Sequence, residues 1–189
     1  MTLQEIFAGC TAKPLLAEEP MAKHTSFRIG GPADLMAMPQ SEQELQQLLQ
    51  RAGESKVPVT LIGNGSNLLV RDKGIRGLVI KLGNMLNDVV ADGCTLTFGS
   101  GVSLAAASRK AAELGLSGME FAVGIPGSIG GAVYMNAGAY DGEMAKVVTG
   151  VRVMELDGTI SESALGIRES LENAIKSMGK PLPNLDDYT

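Results

Sequence analysis

The sequence predicts an α+β chain: a small mixed lobe over residues 1–75, a strand-rich lobe over 76–160 and a helical tail over 161–189. Three observations carry this. Helical and strand patterns alternate without a regular strand–helix repeat, which argues against a doubly wound parallel sheet. After Gly77 the chain turns to short β runs separated by glycine turns. After Ile160 it returns to helical spacing.

The elements follow in order. "TLQEIFAG" reads as a short helix ending at Gly9. "SFRIGGPADLMAMP" reads as extended chain broken at Gly30-Gly31-Pro32. In "SEQELQQLLQRAGE", Ser41 and Glu44 form a capping-box pattern, and Leu45, Leu48, Leu49 and Ala52 make one apolar helix face. "VPVTLI" is a buried strand leading into a glycine loop, and "GLVIKL" is a strand assigned to the second lobe. "DVVADGCTLTFGSG" reads as a hairpin turning at Asp92-Gly93, with Cys94 as a small buried residue. "SLAAASRKAAELG" is a helix from cap Ser103 to stop Gly115. "VVTGVRVMELDGTI" is strand, Asp157-Gly158 turn, strand. Ala164, Ile167, Leu171, Ala174, Ile175 and Met178 then recur at helical spacing.

Composition removes several functions. Apolar residues make up 44% of the chain, enough for a packed core. The net charge of −5 argues against binding dominated by nucleic-acid phosphates. Cys10 and Cys94 lie far apart and His24 is the lone histidine, so no metal site is expected. Two free thiols suit a reducing compartment. No signal peptide and no membrane span are read, so a cytoplasmic protein is expected.

Two glycine loops stand out. "GNGSNLL" nearly matches the dinucleotide fingerprint G-x-G-x-x-G, but Leu68 replaces the third glycine and extended chain follows instead of a helix. Its small donors can form an uncharged nest for an anion; an ordinary Asn-Gly turn between strands gives the same pattern. "GIPGSIGGAVYMNAGAY" holds no charged side chain. Pro126 with Gly127, Gly130 and Gly131 allows close backbone approach, and "SIGGAVYMN" can start a short helix whose first amides face a phosphate. Tight packing between elements would also use small residues there. Taken together, two uncharged loops suit a diphosphate.

"HTSFRIGGPAD", "LIGNGSNLLVRDKGIRGLVIKL" and "GMEFAVGIPGSIGGAVYMNAGAYDGEM" together resemble the UDP-N-acetylenolpyruvoylglucosamine reductase (MurB) family, from about Lys23 to Ile160. The resemblance implies the two-lobed FAD-binding module of the vanillyl-alcohol-oxidase (PCMH) type. It implies noncovalent FAD, with Gly63, Asn64, Gly65, Ser66 and Asn67 around the pyrophosphate. Gly124, Ile125, Pro126, Gly127, Ser128, Gly130, Gly131 and Ala132 would line the other side, and Gly101 and Val102 a further turn. It also implies NADPH as hydride donor and a UDP-sugar as substrate, in peptidoglycan precursor synthesis.

The match has gaps. The family's enolate-stabilising arginine follows a Gly-Tyr-Arg-x-Ser-like motif; the nearest match here is Gly166-Ile167-Arg168-Glu169-Ser170. Ile167 replaces the tyrosine, and Arg168 also fits the polar face of the tail helix. The family's substrate domain, with its serine acid and catalytic glutamate, finds no counterpart before Thr189, so the chain is expected to be inactive alone. His24 reads as a half-exposed strand histidine rather than a flavin anchor, and Tyr140 as a packing or ligand residue. A non-catalytic FAD or nucleotide holder and an FAD-dependent small-molecule oxidase of the same fold stay open beside the reductase reading.

Overall fold

The computed structural model describes residues 1–83 and 86–164. Arg168 and the predicted tail helix beyond Ala164 lie outside them. The N-terminal helix α1 (Leu3–Ile6) starts from a capping box in which Thr2 and Glu5 satisfy each other's amides. Strands β1 (Leu16–Pro20) and β2 (Pro32–Ala37) pair antiparallel. Helix α2 (Glu42–Glu54) buries Leu45, Leu48, Leu49 and Ala52, the face its spacing predicts. Ser41 Oγ accepts the Glu44 amide at 3.2 Å. The reciprocal half of that capping box is absent, because the Glu44 carboxylate instead accepts the amides of Gln40 and Ala12.

Strands β3 (Val59–Ile62) and β4 (Ile75–Lys81) complete a four-stranded sheet in the order β1-β2-β4-β3. β4 runs parallel to both β2 and β3. This corrects the lobe boundary at residue 75, since "GLVIKL" belongs to the first sheet. Leu78, Val79 and Ile80 are all fully buried. A continuous apolar run is what a central parallel strand needs when both of its faces are covered. One face packs Leu35, Ala37, Leu78 and Ile80 under α1 and α2. The other packs Met36 and Val79 with Met21, Ile62 and Val70.

The hairpin of β5 (Val89–Asp92) and β6 (Thr95–Phe98) turns through Gly93, at φ +56°. Cys94 sits in that turn and is exposed, against the expected burial, because the whole hairpin tip from Ala91 to Thr95 faces solvent. Helix α3 (Leu104–Glu113) is capped by Ser103, whose Oγ accepts the Ala106 amide. Helix α4 (Ile129–Met135) and the short pair β7 (Gly138–Ala139) and β8 (Gly142–Glu143) follow. Val102, Leu104, Ala107, Phe121, Ile129, Ala132 and Met144 form the second lobe's core.

Strands β9 (Gly150–Met154) and β10 (Ile160–Ala164) form the expected hairpin. It extends through Ala164, so the residues 161–164 assigned to the tail are strand. Their antiparallel pairing with β9 wins over the helical spacing that begins at Ala164. The hairpin returns to the first lobe. Arg152 forms a two-pronged ion pair with Glu42 of α2, and Gln46 Nε2 donates to the Gly158 carbonyl at 2.8 Å. Among the described residues no helix is long and apolar enough to cross a membrane.

Candidate functional site

The first glycine loop leaves the carboxyl end of β3. Gly65 has φ +66°, and a Cβ there would collide with the His24 carbonyl oxygen. Only glycine takes this path without strain. The Gly65 carbonyl accepts the Ser26 amide at 3.1 Å, tying the loop to the segment after His24. Among the described residues, the amides of Asn64, Gly65, Ser66 and Asn67 meet no acceptor within the chain. A run of open amides is the kind of feature from which anion-binding nests are built. The continuation into Leu68–Val70 is irregular, not the helix of a dinucleotide fingerprint.

The second loop lies directly against the first. A Cβ on Gly63 would come within 2.5 Å of Ser128 Oγ, and one on Gly127 within 3.6 Å of Ser66 Oγ. Two uncharged segments about 60 residues apart in sequence thus share one surface. Beneath the second loop runs the turn at 99–103. Ser103 and Ser128 form an antiparallel bridge, and the Leu104 amide donates to the Gly127 carbonyl at 3.1 Å.

This turn changes the expected role of α4. Its first amides are taken: Ile129 N–H donates to Val102 O at 2.8 Å, Gly130 N–H to Ser100 O at 2.9 Å and Gly131 N–H to Ser128 Oγ at 3.4 Å. They do not face a phosphate. Gly130 is needed for close packing, since a Cβ there would lie 2.8 Å from Ser100 Cβ. Among the described residues, the amides of Gly124, Gly127 and Ser128 are open as well as those of the first loop, and the second loop adds a small, uncharged wall.

The site residues singled out in the sequence, Arg168 apart, lie among the described residues. Gly63, Asn64, Gly65, Ser66, Asn67, Gly127 and Ser128 come together where the loops touch. Gly124 and Pro126 are exposed beside them. Gly101 is held in the turn by its amide bond to Leu86 O. Val102, Ile129 and Ala132 point their side chains into the second core. Tyr140 is 95% exposed, with φ +50°, so it does not pack. With Asp141 at φ +62° it forms the tip between β7 and β8.

Two features escape a linear reading. Ser100 Oγ is buried without a hydrogen-bond partner among the described residues, directly under Gly130. Its one signal was adjacency to Gly101 in "GSGVS". The second is a chain of polar groups beside the first loop. His24 Nδ1 lies 3.1 Å from Lys81 Nζ, and His24 Nε2 lies 3.0 Å from Glu19 Oε1. His24 is not in a strand as expected; it closes the 3₁₀ turn Met21–Lys23, and its side chain is 12% exposed. The hydrogen bond from His24, joined by Lys23 at 3.3 Å, holds the Glu19 carboxyl below its ordinary pKa. Burial lowers that of Lys81.

Comparison with known proteins fits this geometry. Residues 33–163 match the family described as FAD binding domain. The chain is 49% identical to a UDP-N-acetylenolpyruvoylglucosamine reductase of Syntrophomonas wolfei, over 83% of this chain and 52% of that protein. It is 52% identical to the reductase of that name in Agathobacter rectalis, over 77% of this chain and 50% of that one. The chain therefore spans about half the length of the curated relatives it matches. Among solved structures, MurB from Thermus caldophilus superposes with a TM-score of 0.63 at 27% identity, over 89% of this chain and 70% of that one. p-Cresol methylhydroxylase gives 0.66 at 15% identity, over 85% and 34%, a likeness of fold. The architecture is thus that of the vanillyl-alcohol-oxidase type, and the chain belongs to the family of FAD-binding domains.

Proposed function

We propose that the chain holds FAD noncovalently where the two glycine loops meet, and that it is the cofactor-binding part of a UDP-N-acetylenolpyruvoylglucosamine reductase. The observation that carries this is the contact between Gly63 and Ser128, which sets the open amides of Asn64–Asn67 against an uncharged wall. The residues fit the group. Backbone amides bind a diphosphate without formal charge, and glycines let its oxygens approach. The buried Ser100 hydroxyl, without a partner among the described residues, lies under Gly130 of the second loop.

On this reading Gly63, Asn64, Gly65, Ser66 and Asn67 hold the pyrophosphate. Gly124–Gly127 and Ser128 line the opposite side, over the turn of Gly101 and Val102. Bound there, FAD would supply the two-electron chemistry between NADPH and the enolpyruvyl double bond of the UDP-sugar. The chain's own part is position: rigid loops on two separate cores fix one end of the cofactor against the other. Hydride addition beside a carboxylate builds enolate-like charge, which needs a cation or hydrogen-bond donors and a proton source. The first loop carries no ionisable side chain and the second carries the phenols of Tyr134 and Tyr140 alone, so a cation must come from elsewhere. Arg168 is the nearest sequence candidate for the cation. The product is UDP-N-acetylmuramate, which places the chain in cytoplasmic peptidoglycan precursor synthesis.

The identity with proteins named as this reductase supports the reading. A second reading is a flavin holder that does no chemistry alone. NADPH oxidation by the FAD-loaded protein, followed with and without the enolpyruvyl UDP-sugar, separates them. Substrate-dependent oxidation supports the reductase reading. Bound FAD with no turnover assigns the chain the holding role.

A further inference from the structure

We propose that Lys81 is the cation of the cofactor's diphosphate site, held at the base of the first glycine loop by His24, with Glu19 fixing the histidine. The proposal rests on the FAD reading above and deepens it. Lys81 ends β4, the central strand, and pairs in register with Ile62, the residue before the loop. The Leu82 amide donates to the Ile62 carbonyl at 3.0 Å, so the strand end and the loop start are fastened together. β2, β3 and β4 are parallel, and the carboxyl ends of β3 and β4 emerge side by side. Ligands of open parallel sheets bind outside the carboxyl ends of the strands.

The hydrogen-bond directions are fixed by chemistry. An ammonium can only donate, so His24 Nδ1 accepts from Lys81 Nζ. A carboxylate can only accept, so His24 Nε2–H donates to Glu19 Oε1. The imidazole is therefore the Nε2–H tautomer, held by its backbone as well, since its carbonyl oxygen packs on Gly65. Lys81 thus spends one of its three donors on a neutral ring. Among the described residues no carboxylate comes within ion-pair distance of Lys81 Nζ. A part-buried ammonium without an anion beside a loop of open amides is a site one anion short. A diphosphate supplies that charge. The Glu19 carboxylate, which could have neutralised Lys81 directly, is kept one imidazole away and is already bonded to Lys23 and His24.

The test measures FAD affinity by flavin fluorescence and the melting temperature of the cofactor-free protein, for the parent, Lys81→Met and Lys81→Arg. Charge-assisted hydrogen bonds are the strong class, so Lys81→Met should weaken FAD binding tenfold or more. Its cofactor-free melting temperature should hold or rise, because an uncompensated cation has been removed from a part-buried position. Lys81→Arg, which keeps the charge, should recover most of the affinity. A loss smaller than tenfold overturns the assignment, as does a loss accompanied by a fall in the cofactor-free melting temperature. A parent protein that binds no FAD overturns the cofactor reading itself, an outcome distinct from a binding parent with an unaffected Lys81→Met.

Discussion

Gly65 is the residue on which the first loop turns. A methyl group there meets the His24 carbonyl oxygen, and the backbone stands at φ +66°. Gly65→Ala should therefore cost about 1–3 kcal/mol of stability by urea unfolding and weaken FAD binding, because relief of the clash moves the loop. Unchanged affinity would contradict the loop's proposed role. Glu19 gives a second test. Its carboxyl is held below the ordinary value by His24 first and Lys23 second. A depressed carboxyl contributes stability above its unfolded pKa of 4.5, and that contribution is lost as pH falls through the folded value. The parent should thus lose stability below pH 4.5 more steeply than Glu19→Gln, measured by thermal melts across pH. At this scale the glycines were legible, because their conformational freedom is local. The Glu19–His24–Lys81 chain was not. Lys81 meets His24 across 57 residues, from a strand end to the close of a 3₁₀ turn, and no spacing in the sequence encodes that.

Helices and strands were read with unequal success for a physical reason. The face of α2 follows from the period of Leu45, Leu48, Leu49 and Ala52, and the caps Ser41 and Ser103 act within three residues. Such short-range features are written locally. Ser103→Ala should cost about 1 kcal/mol in chemical denaturation, the usual worth of a serine cap. It should also loosen the Ser103–Ser128 bridge beneath the second loop. A loss of stability with no change in FAD affinity would separate the cap from the site. Sheet membership is long-range, so β4 was recognised as a strand yet assigned to the wrong lobe. The amides of α4 show the same limit. "SIGG" looks like an anion-binding helix start, but carbonyls of Ser100 and Val102 from a distant turn already occupy it.

The whole molecule joins two cores through one seam of small residues, and the β9–β10 hairpin returns to α2 through Arg152–Glu42 and Gln46–Gly158. The general architecture was legible because three long motifs lie in order along one chain. The exact lobe limits were not, because both β4 and the last hairpin pack against the first lobe. A ligand seated at the seam should stabilise the fold by mass action, by about 2.7 kcal/mol at a hundredfold excess over its Kd. The most direct test of the central claim is a titration of the purified protein with FAD, read by absorbance and fluorescence before and after denaturation. One flavin should bind per chain, with a raised melting temperature and free FAD released intact on unfolding. A protein that stays colourless after incubation with FAD would contradict it, as would a flavin that remains attached to the denatured chain.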